Sequence, residues 1–445
     1  MAEAYLLKET KLVNRGLVTE ADVRISGGRI TQIGPGLTLL PNETEVACHG
    51  NFLVPGAIDY HVHFREPGLT HKGTIASESK AALAGGTTSF MEMPNTLPLV
   101  TTRTLLEEKY ARAAQTSWGN YSFYIGATNE NLAEVLQVDY TQVCGIKAFL
   151  GSSTGNMLLD NETAIEALFR EAPALVAIHA EDEATIRANE AAWASVPEDE
   201  LPANIHAIIK SAQACYLSSS AAIARAKRLG TRLHILHITT ARECALFTPG
   251  DLLVTTKQIT CEACVHHLYF SDEDYARFGA KIKCNPAIKT PADRAGLWQA
   301  IAEGRIDAIT TDHAPHLLSE KEVGYRQAHA GIPFAQHLMP MVLRWVQEEK
   351  LTLPQAVSLL SHKPAAIFNV QDRGFIEVGA WADLVLLEKK SETVSKEKLY
   401  YTCEWSPLEG ETFTWMPAQV WVSGHRSFAN GSFAFMPGMR LTFAR

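Results

Sequence analysis

Asp59-Tyr60-His61-Val62-His63-Phe64-Arg65-Glu66 is the stretch on which the fold turns. In an extended strand, side chains alternate between two faces. That period puts Asp59, His61, His63 and Arg65 on one face. It puts Tyr60, Val62 and Phe64 on the other, as packing residues. Two imidazoles two residues apart on a strand can aim at one metal ion. An arginine one step further is placed to grip an anion beside that metal. The largely apolar run from Asn51 to Ile58 leads in, and Pro67-Gly68 follows. These flanks mark a buried strand running into a loop rather than a solvated surface strand.

Outward from this strand the pattern repeats. Strand-like runs lie at 57–63, 87–93, 121–127, 145–150, 175–180, 233–238, 258–263 and 306–311. Amphipathic helical stretches separate most of them, as at 74–84, 102–114, 161–170, 206–229 and 292–303. Strand–helix alternation argues a parallel α/β architecture. Eight strands predict a closed, TIM-like (β/α)8 barrel. No GxGxxG follows any strand, which disfavours an open doubly wound sheet.

Both flanks are β in pattern. Residues 1–55 read as short strands and turns, and residues 371–445 revert to strands such as 382–387 and 419–424. The simplest topology joins 1–55 and 371–445 into one flanking β-sandwich beside a catalytic barrel at 56–370.

Composition bounds the function. The 445 residues are 46% apolar and 20% charged, so a large core is available and disorder is excluded. A net charge of −9 with no basic run argues against nucleic acid. No apolar stretch reaches the ~18 residues of a membrane helix. The N-terminus lacks a basic-then-apolar signal, so a cytoplasmic location is expected. Eight cysteines are scattered along the chain and are expected to be free thiols. Cys261 and Cys264 form a lone CxxC before His266 and His267, and a structural zinc site needs a second ligand pair.

In a β/α barrel, functional groups sit at the C-terminal strand ends. His61 and His63 end the first strand, and Asn95 follows the second. Lys147 lies in the fourth, His179 ends the fifth, His237 the sixth and Asp312 the eighth. If the barrel closes, these converge on one pocket. Histidines, a carboxylate and a lysine suit two divalent metals, zinc first. Two metals ~3.5–4 Å apart hold a hydroxide and polarise a carbonyl, the equipment of amide hydrolysis. Lys147 reads two ways, as a neutral amine converted to a bridging carbamate or as a packed stem with a solvated head. Alternation puts His234 and His237 on opposite faces, and His237 is the better candidate. His266 and His267 read as supporting or structural groups. His206, His329, His337 and His362 read as packing or surface residues.

The motifs at 59–68, 92–96, 145–150, 179–181, 237–239, 283–286 and 311–316 together resemble the dihydroorotases of the amidohydrolase superfamily, of the lysine-bridged binuclear type. The resemblance spans the chain, including the strand at 382–386. It implies two zinc ions, one on His61 and His63 and one on His179 and His237, bridged by carboxylated Lys147 and hydroxide. Asp312 would bind a metal and serve as catalytic base and acid. Arg65, Asn95 and His316 would hold the substrate carboxylate, and Asn285 the pyrimidine ring. Ser153 and Thr154 would contact substrate from a closing loop at 151–156. The implied reaction interconverts L-dihydroorotate and N-carbamoyl-L-aspartate. A second copy of the chain and aspartate carbamoyltransferase are the implied partners. One departure is Val265, where relatives often carry proline before the paired histidines. Allantoinases, hydantoinases and dihydropyrimidinases are the nearest rivals and typically lack arginine at the place of Arg65. A silent scaffold homologue should have lost metal ligands, and all of them are present here.

Overall fold

The computed structural model describes residues 3–151 and 157–445. Its centre is a ring of eight parallel strand positions. In order these are Ala57–Val62, Thr87–Glu92, Asn120–Phe123 continued by Ile125–Gly126, Ile146–Phe149, Val176–His179, Leu233–Ile235, Ile259–Cys264 and Ala308–Thr310. Each expected strand is present, with ends shifted by up to three residues. Neighbours pair in parallel and in chain order. The third strand breaks at Tyr124, whose phenol donates to the Tyr60 carbonyl at 3.0 Å. Its first half pairs with the second strand and its second half with the fourth. The ring closes where His63 N–H donates to the His313 carbonyl at 2.7 Å. The closing seam therefore runs directly beside the first and last candidate site residues.

The helices begin where the sequence supplies caps. Thr74 caps Ile75–Ala84 in a reciprocal box with Ser77, and Asn161, Asp182, Ser211 and Thr290 cap four others. The stretch expected as one helix over 206–229 divides into Ile205–Ile209 and Ala212–Leu229. Ser211 leaves the helical path there and accepts from Ala214 N–H, which starts the second helix. Ile165, Leu168 and Phe169 show the working of the helical period, since all three face inward from Glu162–Glu171.

Two side-chain clusters follow from the strand pleat. Phe90, Val176, Ile178 and Ile235 point outward and pack under the helices. Tyr60, Met91, Tyr124, Ala177 and Phe368 form an inner cluster. The first strand departs from strict alternation. Tyr60 joins the inner cluster, whereas Val62 and Phe64 join the outer one. The reason is a register shift against the second strand between Asp59 and Val62.

Both ends of the chain build one nine-stranded sheet. Phe52–Pro55 pairs with Tyr5–Asn14 on one side and with Leu384–Thr393 on the other. Leu7, Val23, Ile25, Leu53, Leu384 and Trp421 fill its core. This is the sandwich expected from the two β-patterned flanks. All eight cysteines are free and buried. Among the described residues, no helix is long and apolar enough to cross a membrane.

Candidate metal centre and substrate cleft

A cleft of about 500 Å³ opens at the C-terminal ends of the barrel strands. His61, His63, Arg65, Asn95, Lys147, His179, His237, Asn285, Asp312 and His316 all line it. Ser153 and Thr154 lie outside the described residues.

His61 and His63 meet at Asp312. The Nε2 atoms of both rings lie 3.1 Å from Asp312 Oδ1. Their other nitrogens are committed. His61 Nδ1 faces Glu262 Oε1 at 2.5 Å, and His63 Nδ1 faces Asn95 Oδ1 at 2.7 Å. Each must donate there, so each ring turns its Nε2 toward Asp312, and in neutral His63 that nitrogen carries a lone pair. Burial pushes His63 down to about 4, which keeps it neutral. Two acceptors then face each other across 3.1 Å. Burial acts to lower His61 as well, but the carboxylates of Asp312 and Glu262 push it up to about 9. Burial acts to raise Asp312, but His61 and His63 hold it well below the ordinary carboxylate range. The spot between these groups is built for a cation.

The second pair is His179 and His237. His179 Nε2 donates to Glu181 Oε2 at 2.8 Å, which leaves Nδ1 as an acceptor facing His237 Nε2 at 2.9 Å. His237 Nδ1 is buried with no hydrogen-bond partner. Ligand atoms of His61, His237 and Asp312 all fall within 4.8 Å of one another. Carboxylate or carbonyl oxygens stand behind the rings of His61, His63 and His179, which matches how proteins orient metal-binding histidines. The donor set of imidazoles and a carboxylate suits zinc and its neighbours. Lys147 sits 1% exposed in the same cleft, its Nζ 4.3 Å from the centre of the Phe149 ring. Burial pushes its amine down to about 7, against the pull of Asp312 and Glu262.

Three cleft residues adopt the left-handed backbone region. Arg65 has φ of 73°, His237 of 38° and Asp312 of 44°. Such conformations cost roughly 1–3 kcal/mol each and persist only where surrounding structure imposes them. At His237 the turn brings a ring inward that alternation alone would misplace. His234 also points inward and lies in one layer with Lys147 and Ala177. The expectation that only one of the two histidines faces the interior is therefore corrected.

The anion end is equally tied. Arg65 Nε donates to the Pro315 carbonyl at 3.0 Å, and Nη2 lies 3.0 Å from His316 Nε2. Burial pushes Arg65 down to about 10, so it stays a cation at neutral pH. Lys72 donates to His316 Nδ1 at 3.1 Å, and Glu320 neutralises Lys72 at 2.8 Å. His316 Nε2 also lies 3.1 Å from the Ala330 carbonyl. Burial and the cations Arg65 and Lys72 hold this ring neutral. His206, expected as a packing or surface residue, lines the cleft. Its Nε2 lies 2.8 Å from the Cys284 carbonyl and 3.1 Å from Asn285 Oδ1.

Glu181, Glu262 and Lys72 were given no role from the sequence. Glu181 carried a signal, since it stands two residues past His179, at the end of the same strand. Cys261, next to Glu262, turns outward and donates to the Arg305 carbonyl. The lone CxxC is therefore split between two faces. Cys264 instead groups with buried His266 and His267.

The sequence profile of the amidohydrolase family matches residues 52–426. The chain is similar to a dihydroorotase of Halobacterium salinarum, with 33% identity over 91% of this chain and 92% of that one. It is similar to an allantoinase of Bacillus velezensis, with 29% identity over 97% of this chain and 95% of that one. Among solved structures, L-hydantoinase (dihydropyrimidinase) from Arthrobacter aurescens superposes with a TM-score of 0.92 at 25% identity, covering 99% of this chain and 100% of that one.

Proposed function

The chain belongs to the amidohydrolase family, and on that premise we propose that it interconverts L-dihydroorotate and N-carbamoyl-L-aspartate, the cyclisation step of pyrimidine synthesis. The observation that carries the substrate choice is Arg65. Its guanidinium lies buried at the cleft beside His316, held by the Pro315 carbonyl. A substrate with a ring carboxylate gives that cation a partner, and a planar guanidinium binds carboxylate in two places. Uncharged hydantoin and dihydropyrimidine rings would leave it buried and unpaired.

His61 and His63 would hold one zinc ion, His179 and His237 the other, with Asp312 on the first and Lys147 between them. When bound, the metals supply an activated water at neutral pH and polarise the scissile carbonyl. Lys147 is suited to the bridging role because a desolvated, neutral amine can add carbon dioxide and release a proton, giving a carbamate. Arg65, His316 and Asn95 fix the carboxylate, and Asn285 fixes the ring, so the amide carbonyl is presented in one orientation. Asp312 Oδ1 faces both histidines and is held ionised, which suits it to accept the water proton and return it to the leaving ring nitrogen. We assign the barrel to residues 56–370 and the sandwich to 1–55 with 371–445. A cytoplasmic location, a second copy of the chain and aspartate carbamoyltransferase complete the proposal.

The test is turnover of L-dihydroorotate, hydantoin and allantoin side by side, with zinc-loaded protein and bicarbonate. Turnover of dihydroorotate alone is expected. Turnover of another ring in its place overturns the substrate assignment. No turnover by zinc-loaded protein would point to a scaffold.

A further inference from the structure

We infer that Glu262 is the positioning residue that ties the two histidine pairs of the centre to each other. It stands on the seventh barrel strand, Ile259–Cys264, and is fully buried. One of its oxygens, Oε1, receives His61 Nδ1 at 2.5 Å and the backbone N–H of His237 at 3.2 Å. The first contact fixes the ring of one pair. The second fixes the left-handed backbone turn that aims the ring of the other. The remaining oxygen faces His234 Nε2 at 3.3 Å, and His234 Nδ1 lies 2.8 Å from Thr260 Oγ1. The Thr260 hydroxyl donates to Nδ1, so Nε2 carries the proton and donates to Glu262. The carboxylate is thereby held on a third side and cannot turn toward one pair at the expense of the other.

Glu181 is the contrasting case. It receives the ring of His179 at 2.8 Å and lies 3.6 Å from Lys210, and no contact of it with His61 or His63 is seen among the described residues. Loss of Glu181 should disturb one pair, whereas loss of Glu262 should disturb both. The inference rests on the reading that the pairs hold separate ions.

The experiment is stepwise zinc uptake by metal-free protein, followed by calorimetry with chelator competition. Glu262→Gln is expected to weaken both steps, each on the order of 10-fold or more, the size typical for lost partners behind metal-binding histidines. Glu181→Gln is expected to weaken one step. An unchanged thermal midpoint of the metal-free protein shows that the fold is intact. If Glu262→Gln weakens one step or neither, the coupling is overturned. Wild-type protein that takes up a single ion overturns the binuclear reading and the coupling with it. Should the amide variant fail to fold, Glu262→Asp keeps the charge, shortens the reach and faces the same two outcomes.

Discussion

Asn95 accepts the Nδ1 proton of His63 at 2.7 Å, so a residue proposed for the substrate carboxylate also sets the orientation of a ring proposed to bind metal. On that reading, binding substrate and holding the metal share one carboxamide. Asn95→Ala is therefore expected to raise KM and to weaken metal retention together, by about 10-fold or more in affinity. Kinetics and metal analysis on one preparation check this. A change in KM with metal content untouched would confine Asn95 to the substrate.

Arg65→Met removes the buried cation at the anion end. Losing one partner of a buried charge pair costs roughly 2–5 kcal/mol, so KM for dihydroorotate is expected to rise on the order of 10²-fold or more. Zinc content should stay at the wild-type level, since Arg65 touches Pro315 and His316 rather than the rings proposed to bind metal. An unchanged KM would remove Arg65 from the carboxylate site.

Asp312→Asn takes away the negative charge, and with it the basic carboxylate, that faces His61 and His63. A lost general base typically lowers kcat by about 10²–10⁴-fold. Substrate binding, measured by equilibrium titration, should change far less. Near-normal kcat would mean that another group moves the proton.

Lys147 gives a spectroscopic prediction. Protein prepared with isotope-labelled bicarbonate is expected to show a carbamate carbon resonance that is absent from Lys147→Ala. That variant should also lose most bound zinc. A variant that kept both ions would leave the lysine without a bridging role.

Lys109 and Glu92 form an ion pair at 3.0 Å with both side chains buried, and Glu92 also accepts the Phe64 backbone N–H at 2.9 Å. Breaking such a pair strands a charge in the interior. Lys109→Met is expected to destabilise the fold by about 3–5 kcal/mol, read from denaturant unfolding. A loss under 1 kcal/mol would show that Glu92 takes up a proton at little cost.

The barrel was legible because its strands are regular. Period-two runs such as Val176–His179 and Ile146–Phe149 announce themselves, and the residues that end them fall into the cleft. What the sequence hid lies where that period fails. The register shift after Asp59 turns Tyr60 inward, and the positive φ of His237 brings in a ring that alternation assigns elsewhere. Glu262 was hidden for another reason. Its partner His61 is 201 residues away, and no local pattern records such a contact. His206 was read as packing or surface, and its helix stops at Ile209, too short for periodicity to show that it faces the cleft.

The antiparallel pairing of Val54 with Val385 has a consequence for the order in which the molecule is made. The strand Phe52–Pro55 emerges from the ribosome long before its outer neighbour, with the whole barrel still to be translated. Until Leu384–Thr393 arrives, one side of that strand offers bare backbone N–H and C=O groups to any passing chain. Domains form as they emerge, N-terminal first. The newborn protein therefore waits with an open sheet edge, and its last segment is what removes the invitation to aggregate.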